Sequence, residues 1–241
     1  MLQIKNLCKT YPGGKKAVDH LNLEIAPGDI YGFIGHNGAG KTTTIKAITG
    51  IIDFEEGEIL VDGVSVRKDP LTCKRKIAYI PDNPDLYGYL TGIQYLNFIG
   101  DIFQVPVSER EERIRKYGEL FELMPALGDL ISSCSHGMKQ KLAIISALLH
   151  KPSLMILDEP FVGLDPKASV LLKEVMRQMC EEGTAIFFST HVLEVAEKLC
   201  DEIAIIDKGR LVAHGTMEEL RAGEGFENLE QLFLNMTEEQ A

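Results

Sequence analysis

The sequence predicts an α/β fold: a parallel-sheet core, preceded by an N-terminal antiparallel β subdomain and interrupted by an inserted α-helical subdomain. Three observations point to it. Short β-like runs with Gly/Pro/Asp turns between them fill the first third of the chain. From residue 139 onward, helix-length and strand-length apolar patterns alternate. Between these regions, residues 91–131 read as helix throughout.

In order, LQIKNL, LNLEI, IYGFIG and EILVDG are the early β-runs, and Pro27-Gly28-Asp29 marks the turn between the second and third. IYGFIG leads into the helix KTTTIKAIT, which stops at Gly50, a plausible residue just past a helix end. After KIAYIP come TGIQYLNFIGDIF and SEREERIRKYGELFEL, with Ser108 and Glu111 predicted to form a capping box at the second start. KQKLAIISALLHK then precedes SLMILDEP, an apolar run suited to a buried parallel strand. The helix KASVLLKEVMRQMCEEG, the strand TAIFFST, the helix VLEVAEKLC and the strands EIAIID and RLVAHG follow, and Thr216 with Glu219 offers a last capping box.

At 241 residues the chain has room for one large domain or a domain with an inserted subdomain. The division expected is a core at 1–82 and 136–215, a helical insertion at 83–135 and a helical tail at 216–241. The net charge of −11 is uneven: residues 1–180 carry 21 Lys+Arg against 22 Asp+Glu, residues 181–241 only 4 against 14. That acidic end argues against nucleic acid as the main partner, which needs a basic footprint. The five cysteines are scattered, with no C-x-x-C pair, and fit reduced thiols serving as apolar filler better than a disulfide framework or a zinc site. No signal-peptide pattern opens the chain and no apolar run approaches the ~18 residues of a membrane span. A membrane role is therefore expected to come through a partner.

The chemistry begins at Gly35-His36-Asn37-Gly38-Ala39-Gly40-Lys41-Thr42, which matches G-x-x-x-x-G-K-[ST] between a β-run and a helix. Its glycines let successive backbone N–H groups converge on phosphate oxygens. Lys41 reaches the β/γ-phosphates, and the Thr42 hydroxyl ligates Mg²⁺. Asp158 ends the apolar run LMILD, where an acid can hold the magnesium, and Glu159 follows as a general base for the attacking water. His191 ends TAIFFST on the same expected sheet edge and is a candidate γ-phosphate donor. Ser135 of CSHGMKQ is a good N-cap, and the helix it starts is either simply capped or addresses an anion.

Taken in order, GHNGAGKTT, the loop after KIAYIP, CSHGMKQ, LMILDEP, GLD at 163–165 and STH at 189–191 resemble the ATP-binding subunit of ABC transporters, over nearly the whole chain. The resemblance implies ATP and Mg²⁺ as cofactors, ATP hydrolysis, and a dimer enclosing two ATP molecules. It implies that Tyr11 stacks on adenine, that Thr43 belongs to the phosphate loop, and that Asp165 is the acid of the loop joining the two sites. His191 is the switch histidine, and Ser135, His136, Gly137 and Met138 face the nucleotide of a second copy. The family's L-S-G-G-Q is here C-S-H-G-M, which keeps Ser135 and Gly137. Asp82 stands where the family has mostly Gln, and a carboxylate there can join the metal site.

YIPDNPDLYGYLT, S-x-G-M-K-Q and the C-terminal EGFENLEQLFLNMT are similar to the ABC-2-type export ATPases, among which the peptide exporters are nearest. That similarity implies transmembrane permease subunits as partners, a second ATPase subunit, identical or related, and a place on the cytoplasmic face of the cell membrane. The insertion, with Leu86, Tyr87 and Tyr89 expected to be exposed, is the candidate docking surface. An ABC ATPase of DNA repair or ribosomes fits less well, because the chain has one cassette, no heptad run and an acidic tail. A P-loop kinase or GTPase has no reason to carry LMILDEP, GLD and STH in series.

Overall fold

Alternating burial along Leu2–Thr10 (β1) and Lys16–Ile25 (β2) makes an antiparallel hairpin with one covered face. The computed structural model describes residues 1–224 and 229–238. After the Gly28 turn, all five residues of Ile30–Ile34 (β3) are buried, as a parallel strand covered on both faces requires. Lys41–Ile48 (α1) leaves the end of β3 and closes on Gly50, which adopts the left-handed conformation (φ 65°) expected of it. Glu56–Val61 (β4) and Val64–Ser65 (β5) return to the hairpin. The short helix Pro70–Lys76 (α2) is capped by Asp69, which accepts the Thr72 N–H at 3.1 Å, and leads into Ile77–Ile80 (β6).

Gly92–Ile102 (α3) and Val107–Leu120 (α4) form the inserted helices, followed by two 3₁₀ turns and the long helix His136–Leu148 (α5). The capping box expected from Ser108 and Glu111 does not form. Pro106 occupies the N-cap of α4 and Ser108 lies inside the helix. Proline's fixed φ starts the helix upstream of the Ser-x-x-Glu pattern. A true capping box sits instead at α3, where Thr91 and Gln94 satisfy each other's backbone N–H groups at 2.9 and 3.3 Å.

The remainder alternates as expected: Leu154–Asp158 (β7), Pro166–Glu181 (α6), Ala185–Thr190 (β8), Leu193–Leu199 (α7), Glu202–Asp207 (β9), Arg210–Gly215 (β10) and Met217–Glu224 (α8). The capping box of Thr216 with Glu219 is present. Leu229–Glu238 (α9) follows; residues 225–228 of the tail motif EGFENLEQLFLNMT lie outside the described residues.

Two sheets result, one antiparallel in the order β2-β1-β4-β5 and one six-stranded in the order β10-β9-β3-β8-β7-β6. The larger is parallel except for β10 on its edge. One of its faces packs Phe33 and Phe187 against α1 and the antiparallel sheet; the other packs Met155, Leu157 and Phe188 against the helical layer. Phe187 and Phe188 are both fully buried on opposite faces, each burial contributing about 1.5–3 kcal/mol. Because β3 lies between β8 and β9, residues distant in sequence end side by side at the carboxyl edge, where open α/β sheets place their ligands. Among the described residues no helix is long and apolar enough to cross a membrane.

Candidate active site

The carboxyl edge of the large sheet brings four segments together. From β3 the chain enters the loop Gly35–Gly40 and turns into α1. Gly40 takes φ 116°, and a Cβ there would lie 2.5 Å from the Ala17 carbonyl oxygen, so a larger residue fits neither the backbone nor the space. Gly40 also occupies the N-cap of α1 with no side chain to cap it. The unpaired N–H groups and positive dipole end of α1 therefore favour an anion. Lys41 is 6% exposed and its ammonium donates to the Gly35 carbonyl at 2.5 Å. Burial lowers its pKa, while Glu159 and Asp158 oppose that shift by favouring the charged form.

Asp158 is the last residue of β7 and pairs in register with Ser189 of β8. Its buried carboxylate accepts hydrogen bonds from Thr42 Oγ1 at 2.9 Å and from Ser189 Oγ. Those two hydroxyls offset the cost of burying the charge. Glu159 follows in the left-handed region (φ 49°), a costly conformation for a non-glycine residue that is concentrated at functional sites. This backbone turns Glu159 across the strand end to meet His191 Nδ1 at 2.9 Å, and Oε2 accepts the His191 backbone N–H at 3.4 Å. Glu159 is largely shielded, whereas the His191 side chain is 58% exposed and free to reach outward.

A cleft of about 250 Å³ lies over Lys41, Thr42, Asp158 and Glu159 and is also lined by Tyr11, Asp82 and Thr43. The Tyr11 hydroxyl lies 3.4 Å from Thr43 Oγ1 and its ring is about one-third exposed, leaving a face for a planar ligand. His36, Asn37, Gly38, Gly40, Lys41 and Thr42 also line the cleft. Gly35 contributes its carbonyl to Lys41, and Ala39 packs inward into an apolar cluster. The cleft thus combines an anion-favouring helix end, a buried ammonium, hard oxygen donors and a carboxylate against a histidine.

The residues expected to face a second copy lie away from this cleft. Ser135 is exposed and caps α5, its Oγ accepting the Met138 N–H at 3.3 Å. His136 is exposed, whereas Met138 packs against the helical-layer core, which explains an apolar side chain there. Gly137 approaches Gly163 so closely that a Cβ would sit 2.9 Å from the Gly163 carbonyl oxygen. Asp165 caps α6, accepting the Ala168 N–H at 2.8 Å, and pairs with Lys141 of α5 at 2.8 Å. The Lys141 ammonium holds the Asp165 carboxyl below the usual carboxylate range. The GLD loop and the CSHGM turn are thereby fixed to each other.

Sequence reasoning missed Ser189, Lys141 and the cleft-lining Lys15. Ser189 alone left a signal, since it stands beside His191 at the end of an apolar run expected to lie near LMILD.

The family model described as ABC transporter matches residues 18–162. A linearmycin resistance ATP-binding protein of Bacillus subtilis is 37% identical over 96% of this chain and 74% of its own length. Among solved structures, an ATP-binding subunit of an ABC transporter superposes with a TM-score of 0.94 at 35% identity, covering 98% of this chain and 99% of that one. The ATP-binding cassette MJ0796, in a dimeric post-hydrolysis state bound to ADP and Pi, superposes with a TM-score of 0.79 at 26% identity, covering 90% and 99%. With its motifs in order, its strand ends assembled around the phosphate loop and nearly its whole length matched, the chain belongs to the ABC transporter family as an ATP-binding ATPase subunit.

Proposed function

We propose that this chain is the motor of an exporter, closing as a dimer around two ATP molecules and driving separate membrane subunits at the cytoplasmic face of the cell membrane. The observation that carries the catalytic half is the assembly of Lys41, Thr42, Asp158, Glu159 and His191 at one sheet edge. Tyr11 stacks on the adenine. The loop from Gly35 through Gly40 and the start of α1, with Lys41 and Thr43, holds the phosphates.

Thr42 and Asp158, whose paired hard oxygens suit Mg²⁺, would hold the ion, with Asp82 in the same cleft lining as a further carboxylate. Bound there, Mg²⁺ would supply neutralisation of the charge on the transferring phosphoryl group. Glu159 takes the proton of the water whose oxygen forms the new bond to the γ-phosphorus, as the bond to the ADP oxygen breaks. His191 orients Glu159 and donates to the γ-phosphate. Lys41→Ala is expected to remove calorimetrically measurable ATP binding without changing the thermal melt by more than a few degrees; unchanged affinity would refute this placement of the phosphates.

The division of labour is a nucleotide core at 1–82 and 136–215, a helical subdomain at 83–135 and a tail at 216–241. The membrane subunits dock on the helical subdomain. Tyr87, Tyr89 and Phe98 are 45%, 76% and 41% exposed, and the Tyr87 ring neighbours those of Tyr89 and Phe98 with centroids 5.9 and 5.6 Å apart. Leu86, expected to be exposed, is instead half-buried against the helical-layer core. Clustered exposed aromatics are what a partner interface uses as anchors.

Replacing Tyr87 and Tyr89 together by Ala is expected to weaken capture of the membrane subunits roughly 30-fold, the equivalent of about 2 kcal/mol. ATP affinity of the isolated chain stays unchanged in that variant. Equal capture by the double variant would place the docking face elsewhere. The export direction rests on the Asp82 loop and the S-x-G-M-K-Q pattern, and on a linearmycin resistance protein being among the relatives. Efflux by inside-out vesicles carrying the assembled transporter tests it.

A further inference from the structure

Cys8 is 4% exposed, yet it packs in none of the apolar clusters that enclose Cys73 and Cys180. Its surroundings are polar, and two irregularities in the antiparallel sheet create them. The β1–β2 register runs from Leu7 opposite Leu21 to Lys9 opposite Val18, so Asp19 and His20 together face Cys8 alone. Such a bulge re-aims side chains. His20 sits there with φ 53°, and its backbone N–H donates to Cys8 Sγ at 3.3 Å. On the other side, Asn6 (φ 52°) takes up a second register shift, which sets Glu56 of β4 opposite Cys8. As a result Cys8 Sγ, a His20 ring nitrogen and a Glu56 carboxylate oxygen lie within 4.8 Å of one another.

We propose that Cys8, His20 and Glu56 form a binding site for a borderline-soft divalent cation of the zinc class, with solvent as a fourth ligand. Thiolate, imidazole and carboxylate are all zinc ligands, and three of them with an open position make an accepted coordination set. The thiolate and carboxylate together match a dication's charge, and the sulfur disfavours Mg²⁺ and Ca²⁺. Metal-ligating histidines typically carry a carboxylate on the other ring nitrogen, and here His20 Nδ1 meets Asp19 Oδ1 at 2.6 Å.

The spot already collects positive charge. Lys16 pairs with Asp19, and the nearby Cys8 and Glu56 further favour its ammonium form. Arg210 holds Asp19 from outside at 2.6 Å. The Lys16 side chain is 42% exposed, so an incoming dication displaces it into solvent while Arg210 keeps Asp19 in place. The three ligands come from β1, β4 and β2, so the ion would tie all three strands together beside the turn that carries Tyr11. No sequence spacing announces this site, because both bulges are needed to assemble it.

The test is a Co²⁺ titration of the full chain in a non-thiol reductant without nucleotide, followed by Zn²⁺ displacement. One equivalent of Co²⁺ is expected to give a thiolate-to-cobalt charge-transfer band in the near ultraviolet, which Zn²⁺ abolishes. The phosphate-loop cleft, whose acidic and hydroxyl donors are oxygens, cannot produce that band. Cys8→Ser should remove it, and His20→Gln, at an exposed side chain, should weaken Co²⁺ binding at least about 10-fold. Zn²⁺ should also raise the melting temperature of the wild type but not of His20→Gln. Absence of the band at excess Co²⁺, its survival in Cys8→Ser, or unchanged affinity in His20→Gln would each overturn the proposal.

Discussion

Glu159→Gln is expected to slow ATP turnover by about 10²-fold or more while leaving ATP affinity nearly unchanged. The substitution keeps the size of the side chain. The amide oxygen can still accept the His191 backbone N–H that Oε2 accepts now, so the turn after β7 retains its contact with the end of β8. The left-handed backbone at residue 159 is no harder for Gln than for Glu. What disappears is the basic carboxylate beside the cleft. The proposed phosphate contacts are Lys41 and the start of α1, which the change does not touch. Nucleotide therefore binds but persists unhydrolysed, and a dimer closed by ATP should accumulate and elute early on size exclusion. Turnover at the wild-type rate would assign the proton to a different acceptor.

The parts of this site that could be read from the sequence are those specified by local chemistry. Gly40, Lys41 and Thr42 must be contiguous for one loop to wrap a phosphate, so their pattern survives in one dimension. Asp158 was legible because four apolar residues before it define a buried strand and its end. Residues whose meaning depends on strand order were not legible. The hydrogen bond from Ser189 to Asp158 exists because β7 and β8 are register partners; the run ending in STH marks a strand end but not which residue it faces. The ring of Phe233, on α9, lies 4.6 Å from that of His36 in the phosphate loop, a contact joining the chain's tail to its site across nearly its whole length.

Other misses have local causes. The α4 start moved because Pro106 outcompetes a Ser-x-x-Glu pattern two residues later. Helix α2 is too short for apolar periodicity to reveal, although Asp69 before Pro70 is a legible start signal. Cys8 is buried, as apolar filler would be, but the polar groups beside its sulfur were not legible, because a β-bulge shifts the inside–outside alternation by one residue without leaving a mark in composition.

Ser135→Arg is expected to abolish ATP hydrolysis while leaving ATP binding by the single chain within about twofold, a change well inside ordinary surface-substitution effects. Ser135 lies outside the cleft, so no contact that holds nucleotide in the same chain is lost. The residue caps α5 through one hydrogen bond, and losing it costs about 1 kcal/mol, too little to unfold the domain. The neighbouring turn is more constrained than Ser135 itself. Gly137 rests on Gly163, while Asp165 is tied both to Lys141 and to the first turn of α6. An arginine at residue 135 must therefore project outward, into the space where, in the proposed dimer, the γ-phosphate end of a second copy's nucleotide approaches. Its bulk blocks that approach even though its charge would attract phosphate. Glu159→Gln combined with Ser135→Arg separates the two effects: the double variant should bind ATP yet remain monomeric, where Glu159→Gln alone accumulates the dimer. A dimer persisting in the double variant would mean that the start of α5 does not face the second nucleotide.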